Sequence, residues 1–114
     1  MSDCLFCRLA SGEISTDFVY SDDEIIAFRD INPQAPVHVL IVPRKHIENY
    51  ATASNDDDPL LGRMCRVAAE VARDEGVADS GFRTVVNNGP DAHQSVQHLH
   101  MHVLGGRQMG WPPG

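Results

Sequence analysis

No apolar run in the sequence is long enough to span a bilayer, so the chain does not read as membrane-embedded. The opening stretch, Met1 to Arg8, contains Asp3 and lacks the basic start and apolar segment of a secretory signal. A cytoplasmic location, with no membrane partner, is therefore the expectation. Basic residues are scarce: 9 Lys and Arg stand against 16 Asp and Glu, without any basic cluster or basic patch interleaved with aromatics. That balance argues against extended nucleic-acid binding. It leaves room for one small anion, because backbone N–H groups, hydroxyls and histidines can hold a phosphate on a negative protein. Cysteine is sparse and odd in number (Cys4, Cys7, Cys65), which argues against a disulfide framework. Internal repeats, low-complexity segments and linkers are absent too. What remains is 42% hydrophobic and 22% charged over 114 residues, the profile of a single domain, 1–114, around one core.

The pattern of elements predicts an α+β domain. Asp3 to Ala10 reads as a short helix with Asp3 as N-cap and Gly12 just past its end. Phe18 to Tyr20 and Glu24 to Arg29 are β-rich and separated by Ser21-Asp22-Asp23, a hairpin signal. Asn32-Pro33-Gln34-Ala35-Pro36 then breaks the chain ahead of the apolar run Val37 to Val42, a buried strand. Three aspartates before Pro59 make a favourable helix start, and Leu60, Leu61, Met64, Cys65, Ala68, Val71 and Ala72 recur at helical spacing until Gly76. Met64 and Cys65 are expected in the core of that one long helix. Phe82 to Val86 and Gln97 to Leu104 complete five strands, with the polar loop Asn87 to Ser95 between them. Short links of this kind predict an antiparallel five-stranded sheet with one long and one short helix.

The chemistry concentrates in His98-Leu99-His100-Met101-His102-Val103-Leu104. On a strand, alternate side chains share a face, so the three imidazoles line one surface while Leu99, Met101 and Val103 enter the other. Three readings fit such a face: hydrogen-bonded structural histidines, a metal site, or a nucleophile with its helpers. Imidazole, with a pKa near 6.5, is largely neutral at pH 7 and able to attack, and the phosphoramidate it forms is labile enough to turn over. Upstream, Asn87, Gln94 and Ser95 lie in a loop able to offer backbone N–H groups and a hydroxyl to a phosphate facing His100. Cys4-Leu5-Phe6-Cys7 has the spacing of a zinc half-site, though a redox pair or two packed thiols fit it as well.

Several segments together resemble the histidine-triad family, in particular its Hint branch of nucleotide-binding proteins. They are the triad itself, Phe28 to Pro36 followed by His38, Pro43 to Ile47, Val85-Val86-Asn87, Gln94-Ser95-Val96, and the ending Gly105 to Gly114 with its WPPG terminus. The resemblance implies a purine nucleoside phosphoramidate hydrolase that releases a nucleoside monophosphate and an amine and requires no catalytic cofactor. His100 would be the nucleophile, Ser95 would assist the leaving group, and His38 and His102 would contact phosphate oxygens and relay protons. Asn87 and the backbone of Gln94, Ser95 and Val96 would hold the phosphate, and Asp30 would accept bonds from the ribose. Leu5, Phe6, Leu9, Phe28 and Ile31 would enclose the purine of ligands such as AMP or GMP, although plain core packing explains those five equally well. The sequence departs from the branch at His93, where glycine is usual, and Arg29 and Gly110 stand at variable positions.

The same resemblance implies structural zinc on Cys4, Cys7, His46 and His98, which would assign His98 to the metal and leave His100 and His102 for the phosphate. It also implies a two-fold homodimer, in keeping with the pairing that an exposed sheet edge invites, in which the long helix helps to form the interface. Gly105 and Gly106 let the backbone turn, and Pro112 and Pro113 stiffen the end, so residues 105–114 are expected to form an ordered tail with Trp111 near the partner's site. Two alternatives stand beside the enzyme: a nucleotide-binding interaction protein, and a zinc-centred structural protein with little catalysis.

Overall fold

A computed structural model describes residues 3–114. Its elements are α1 (Leu5–Ala10), β1 (Phe18–Ser21), β2 (Ile25–Arg29), β3 (Val37–Pro43), α2 (Asp58–Asp74), β4 (Phe82–Val85) and β5 (Met101–Gly105). The strands form one five-stranded sheet in the order β1-β2-β3-β5-β4, with every neighbouring pair antiparallel. This is the expected α+β architecture, with the late strand β5 inserted between β3 and β4.

Each face of the sheet has its own core. Ile25, Ala27, Val39, Ile41, Met101 and Val103 point to one face and meet Leu60, Met64, Val67, Ala68 and Val71 of α2. Ile26, Phe28, Leu40 and Val42 point to the other and meet Phe6 and Leu9 of α1. The two-residue alternation of β2 and β3 thus feeds both layers at once, which is why these strands are apolar almost throughout. Arg44 closes one end of the sheet, its guanidinium donating to the carbonyls of Asp22 and Ala10 and to the Ser21 hydroxyl.

Several local expectations are corrected. The N-cap of α1 is Cys4, not Asp3; its Sγ accepts a bond from the Cys7 N–H. Cys65 is exposed, because the buried stripe of α2 passes through Leu60, Met64, Val67, Ala68, Val71 and Ala72 and leaves it outside. Strand β4 stops at Val85, and β5 begins at Met101 rather than Gln97. Residues 97–100 run beyond the paired part of β3, where the Leu99 N–H donates to the Ile47 carbonyl at 2.6 Å in place of a ladder partner.

The tail is bonded to the body of the domain. Arg107 donates from Nε to the Gln34 carbonyl, while Arg83 donates to the Gly110 carbonyl and lies over the Trp111 ring. Among the described residues no helix is long and apolar enough to cross a membrane.

Candidate active site and metal centre

Although the strand is shorter than predicted, the alternation of the triad holds. Leu99, Met101 and Val103 are buried on the α2 side, and His98, His100 and His102 lie on the opposite side with α1. Phe6 of α1 stands nearly perpendicular to the rings of His98 and His100, with centroids 5.9 and 5.1 Å away. One strand over on β3, His38 lies diagonally opposite His102 on the same face.

Backbone groups determine the tautomers. The Nδ1 of His100 is 2.7 Å from the carbonyl of His98. A carbonyl only accepts, so Nδ1 carries the proton and Nε2 keeps its lone pair. At His38 the reverse holds: the Gln34 N–H donates to Nδ1 at 3.0 Å, which places the proton on Nε2. That Nε2–H donates to Nδ1 of His102 at 2.9 Å, with Asp30 Oδ2 a further acceptor at 3.5 Å. His102 in turn must carry its proton on Nε2. The chain from Gln34 through His38 to His102 therefore delivers a directed N–H donor beside the unprotonated Nε2 of His100.

Burial keeps the relay neutral. It pushes the His38 imidazole below its usual pKa, although the Asp30 carboxylate opposes the shift. His102 is pushed down to about 4, first by burial and then by the neighbouring rings of His100 and His38. Asp30, His38 and His102 are close enough together to suggest a metal site. The proton on His38 Nε2 argues against that use, since a nitrogen that bears a proton has no lone pair to give.

Beside these rings opens a cavity of about 440 Å³. Leu5, Phe6, Leu9, Phe28, Asp30, Ile31, Ser95, Val96, His100 and His102, all singled out from the sequence, line it. Ile14, Ser15, Thr16, Arg29 and Leu40 line it as well and were not assigned to the pocket from the sequence. The alternation of β3 could have found Leu40, two residues from His38. The segment 14–16 has no periodicity to betray it; it is folded over the cavity by the bond from the Ile14 N–H to the Arg8 carbonyl.

Three predicted residues, His38, Asn87 and Gln94, lie outside this cavity. Asn87 lines a second one, of about 280 Å³, on the β4 side of His38 and His102. The Gln94 side chain is buried and fully engaged: Oε1 accepts from the Gly89 N–H and the Asn49 amide, and Nε2 donates to the carbonyls of Glu48 and Val96. Gln94 thus pins the loop that presents Ser95. Next to it His93 adopts a left-handed conformation, φ 60° and ψ 39°, a region that side chains disfavour and glycine enters freely.

Cys4, Cys7, His46 and His98 converge at the N-terminus of α1. The Nε2 of His98 donates to the Pro43 carbonyl at 2.7 Å, so its Nδ1 is a lone pair aimed at Cys4 Sγ (3.3 Å), Cys7 Sγ (3.5 Å) and His46 Nδ1 (3.2 Å). Cys7 Sγ is 3.3 Å from His46 Nδ1. Tetrahedral zinc with ordinary bond lengths has ligand–ligand edges of about 3.3 Å between nitrogens and about 3.6 Å between nitrogen and sulfur. The donor set and its spacing fit zinc to within a few tenths of an ångström, and the proton on the far side of His98 is the usual orienting bond of a metal-bound imidazole.

The profile of the HIT domain matches residues 11–109. The chain belongs to the HIT domain family. Members similar to it include an uncharacterised HIT-like protein of Synechocystis, 48% identical over 98% of this chain and 97% of the relative. A HIT family hydrolase of Legionella pneumophila superposes with a TM-score of 0.96 at 48% identity, covering 98% of this chain and 100% of that one. A histidine triad protein of Clostridium difficile gives 0.92 at 38% identity, with 96% of each chain covered. The HIT fold thus extends over nearly the whole sequence.

Proposed function

We propose that this HIT protein hydrolyses purine nucleoside phosphoramidates, as its resemblance to the Hint branch implies. The observation that carries the reading is the pair of opposed tautomers: an unprotonated His100 Nε2 beside an N–H donor on His102, next to a cavity walled by apolar side chains and Asp30. The nucleoside occupies that cavity, with its base against Leu5, Phe6, Leu9, Phe28 and Ile31 and its ribose hydroxyls donating to Asp30. His100 Nε2 attacks the α-phosphorus; the new N–P bond forms as the bond to the amine breaks, and the Ser95 hydroxyl passes a proton to the departing nitrogen. His102 Nε2–H donates to a phosphate oxygen and stabilises the charge gathered there. Water then attacks the phosphorus, returns the electron pair to His100 and releases the nucleoside monophosphate. Asn87 and the backbone of residues 94–96 hold the phosphate through both steps.

Zinc on Cys4, Cys7, His46 and His98 takes no part in this chemistry; when bound it adds structural stability. The protein acts as a two-fold homodimer through the free edge β4 and a flank of α2, and it works in the cytoplasm. Incubation with adenosine phosphoramidates tests the reading. Wild type should release amine and AMP with turnover, and His100→Gly should lose at least about a hundredfold in kcat while binding AMP within about tenfold. More than a few per cent of wild-type kcat in that variant would remove His100 as nucleophile.

A further inference from the structure

The first helix belongs to two sites. Cys4 and Cys7 reach the metal cluster, while Leu5, Phe6 and Leu9 face the nucleoside cavity. With six residues α1 is far too short to persist alone, since isolated helices below about 12–15 residues are marginal in water. Its C-terminal end is fixed by the Arg44 guanidinium on the Ala10 carbonyl at 2.6 Å, and its middle by the burial of Phe6 and Leu9. Its N-terminal turn carries the half-exposed Leu5 and is held by Phe6, packed against Phe28, His98 and His100, together with the two cysteines on His98 and His46.

We propose that this cluster gates nucleotide binding: an occupying divalent metal holds α1 in place as the wall of the nucleoside cavity, and losing the metal releases that wall. The inference rests on the nucleotide reading above and on zinc as the occupant. Two connections carry it. The cysteines bracket Leu5 and Phe6, so the ligands and the wall move as one turn of helix. The ring of His98 is held between the cluster and the Pro43 carbonyl, while its own carbonyl orients His100. Because His46 is exposed and its contact with Cys7 lies at the surface, the metal is within reach of chelators and competing ligands. A nucleotide meeting the metal-free chain must order α1 as it binds, and that ordering appears as lost affinity.

The test compares the chain loaded with Zn²⁺ and the same chain stripped with a soluble chelator. AMP and GMP affinities come from calorimetry, and the mobility of residues 4–10 from amide hydrogen exchange. Stripping should weaken both nucleotides by at least about tenfold and accelerate exchange in α1, leaving β3 and β5 protected; added Zn²⁺ should restore both. In steady-state hydrolysis KM should rise more than kcat falls. Should the stripped chain unfold, His46→Asn removes only the exposed ligand, and its nucleotide affinity should track metal occupancy through a Zn²⁺ titration. Equal affinity at full and at zero occupancy, in either protein, overturns the proposal, as does failure of the chain to bind Zn²⁺ at all. Failure of the zinc-loaded chain to bind any nucleotide would instead overturn the functional reading beneath it.

Discussion

His102 should make the fold acid-sensitive in a window that carboxylates do not share. Its imidazole is held at about 4, against 6.5 for an exposed histidine, by burial and by the rings of His100 and His38. A histidine depressed in the native state binds its proton more readily when unfolded, so acid favours unfolding between the two values. Applying the linkage relation to this one group, stability should fall by about 2 kcal/mol from pH 7 to pH 5 and by about 3 kcal/mol by pH 4. Burial of His38 works in the same direction. The Asp22 carboxyl, which burial raises but which bonds from Tyr20, the backbone at Glu24 and Ile25, and Arg63 together lower to about 2, adds a separate loss only below about pH 4. Urea titrations of wild type and His102→Asn at half-unit intervals from pH 7 to pH 4 isolate the term, because contributions common to both proteins cancel. The wild-type slope should exceed that of the variant by roughly 1 kcal/mol per pH unit near pH 5. Parallel pH profiles for the two proteins, or a wild-type loss below about 0.5 kcal/mol between pH 7 and pH 5, would refute the reasoning.

Other tests follow from the backbone and the tail. His93→Gly should relieve the left-handed residue in the loop that presents Ser95 and leave stability unchanged or raised by up to about 1 kcal/mol in thermal unfolding, whereas His93→Val should lower it. Gly105→Ala would place a Cβ 2.8 to 3.0 Å from three side-chain atoms of Val77, and should cost about 1–3 kcal/mol by chemical denaturation. Deleting residues 108–114 should change relative rates among amine leaving groups more than it changes AMP affinity, and ultracentrifugation should show a dimer at micromolar concentration; unchanged relative rates or a monomer would oppose the proposed assembly.

The fold was legible wherever periodicity carries information. Alternation in residues 98–104 correctly separated the imidazoles from Leu99, Met101 and Val103, and the helical spacing of Leu60, Met64, Ala68, Val71 and Ala72 marked the buried face of α2. Cys65 escaped because it sits at the margin of that stripe, where spacing alone does not separate core from surface. The early end of the β5 ladder escaped because it depends on Ile47, far away in sequence, capturing the Leu99 N–H. The composition of the cavity was visible residue by residue except for Arg29 and Leu40, on strands already placed, and for 14–16, which get there by a turn. The tautomers were invisible in sequence: they depend on which backbone group faces each ring, and only the fold brings Gln34 to His38, the Pro43 carbonyl to His98 and the His98 carbonyl to His100.

The sheet order also bears on when the molecule becomes competent. Because β5 lies between β3 and β4, the residues that meet at the reactive face come from both ends of the chain: Cys4 to Leu9, Asp30 and His38 on one side, Ser95 to His102 on the other. Contacts across such sequence separations form late, after the entropy of closing long loops has been met. A chain without the segment from Ser95 onward would have the hairpin β1–β2, the strand β3 and the long helix, yet neither His100 nor the complete Cys4, Cys7, His46 and His98 cluster. The Cys/His cluster and the His100 face are therefore completed in one late step, when β5 pairs between β3 and β4.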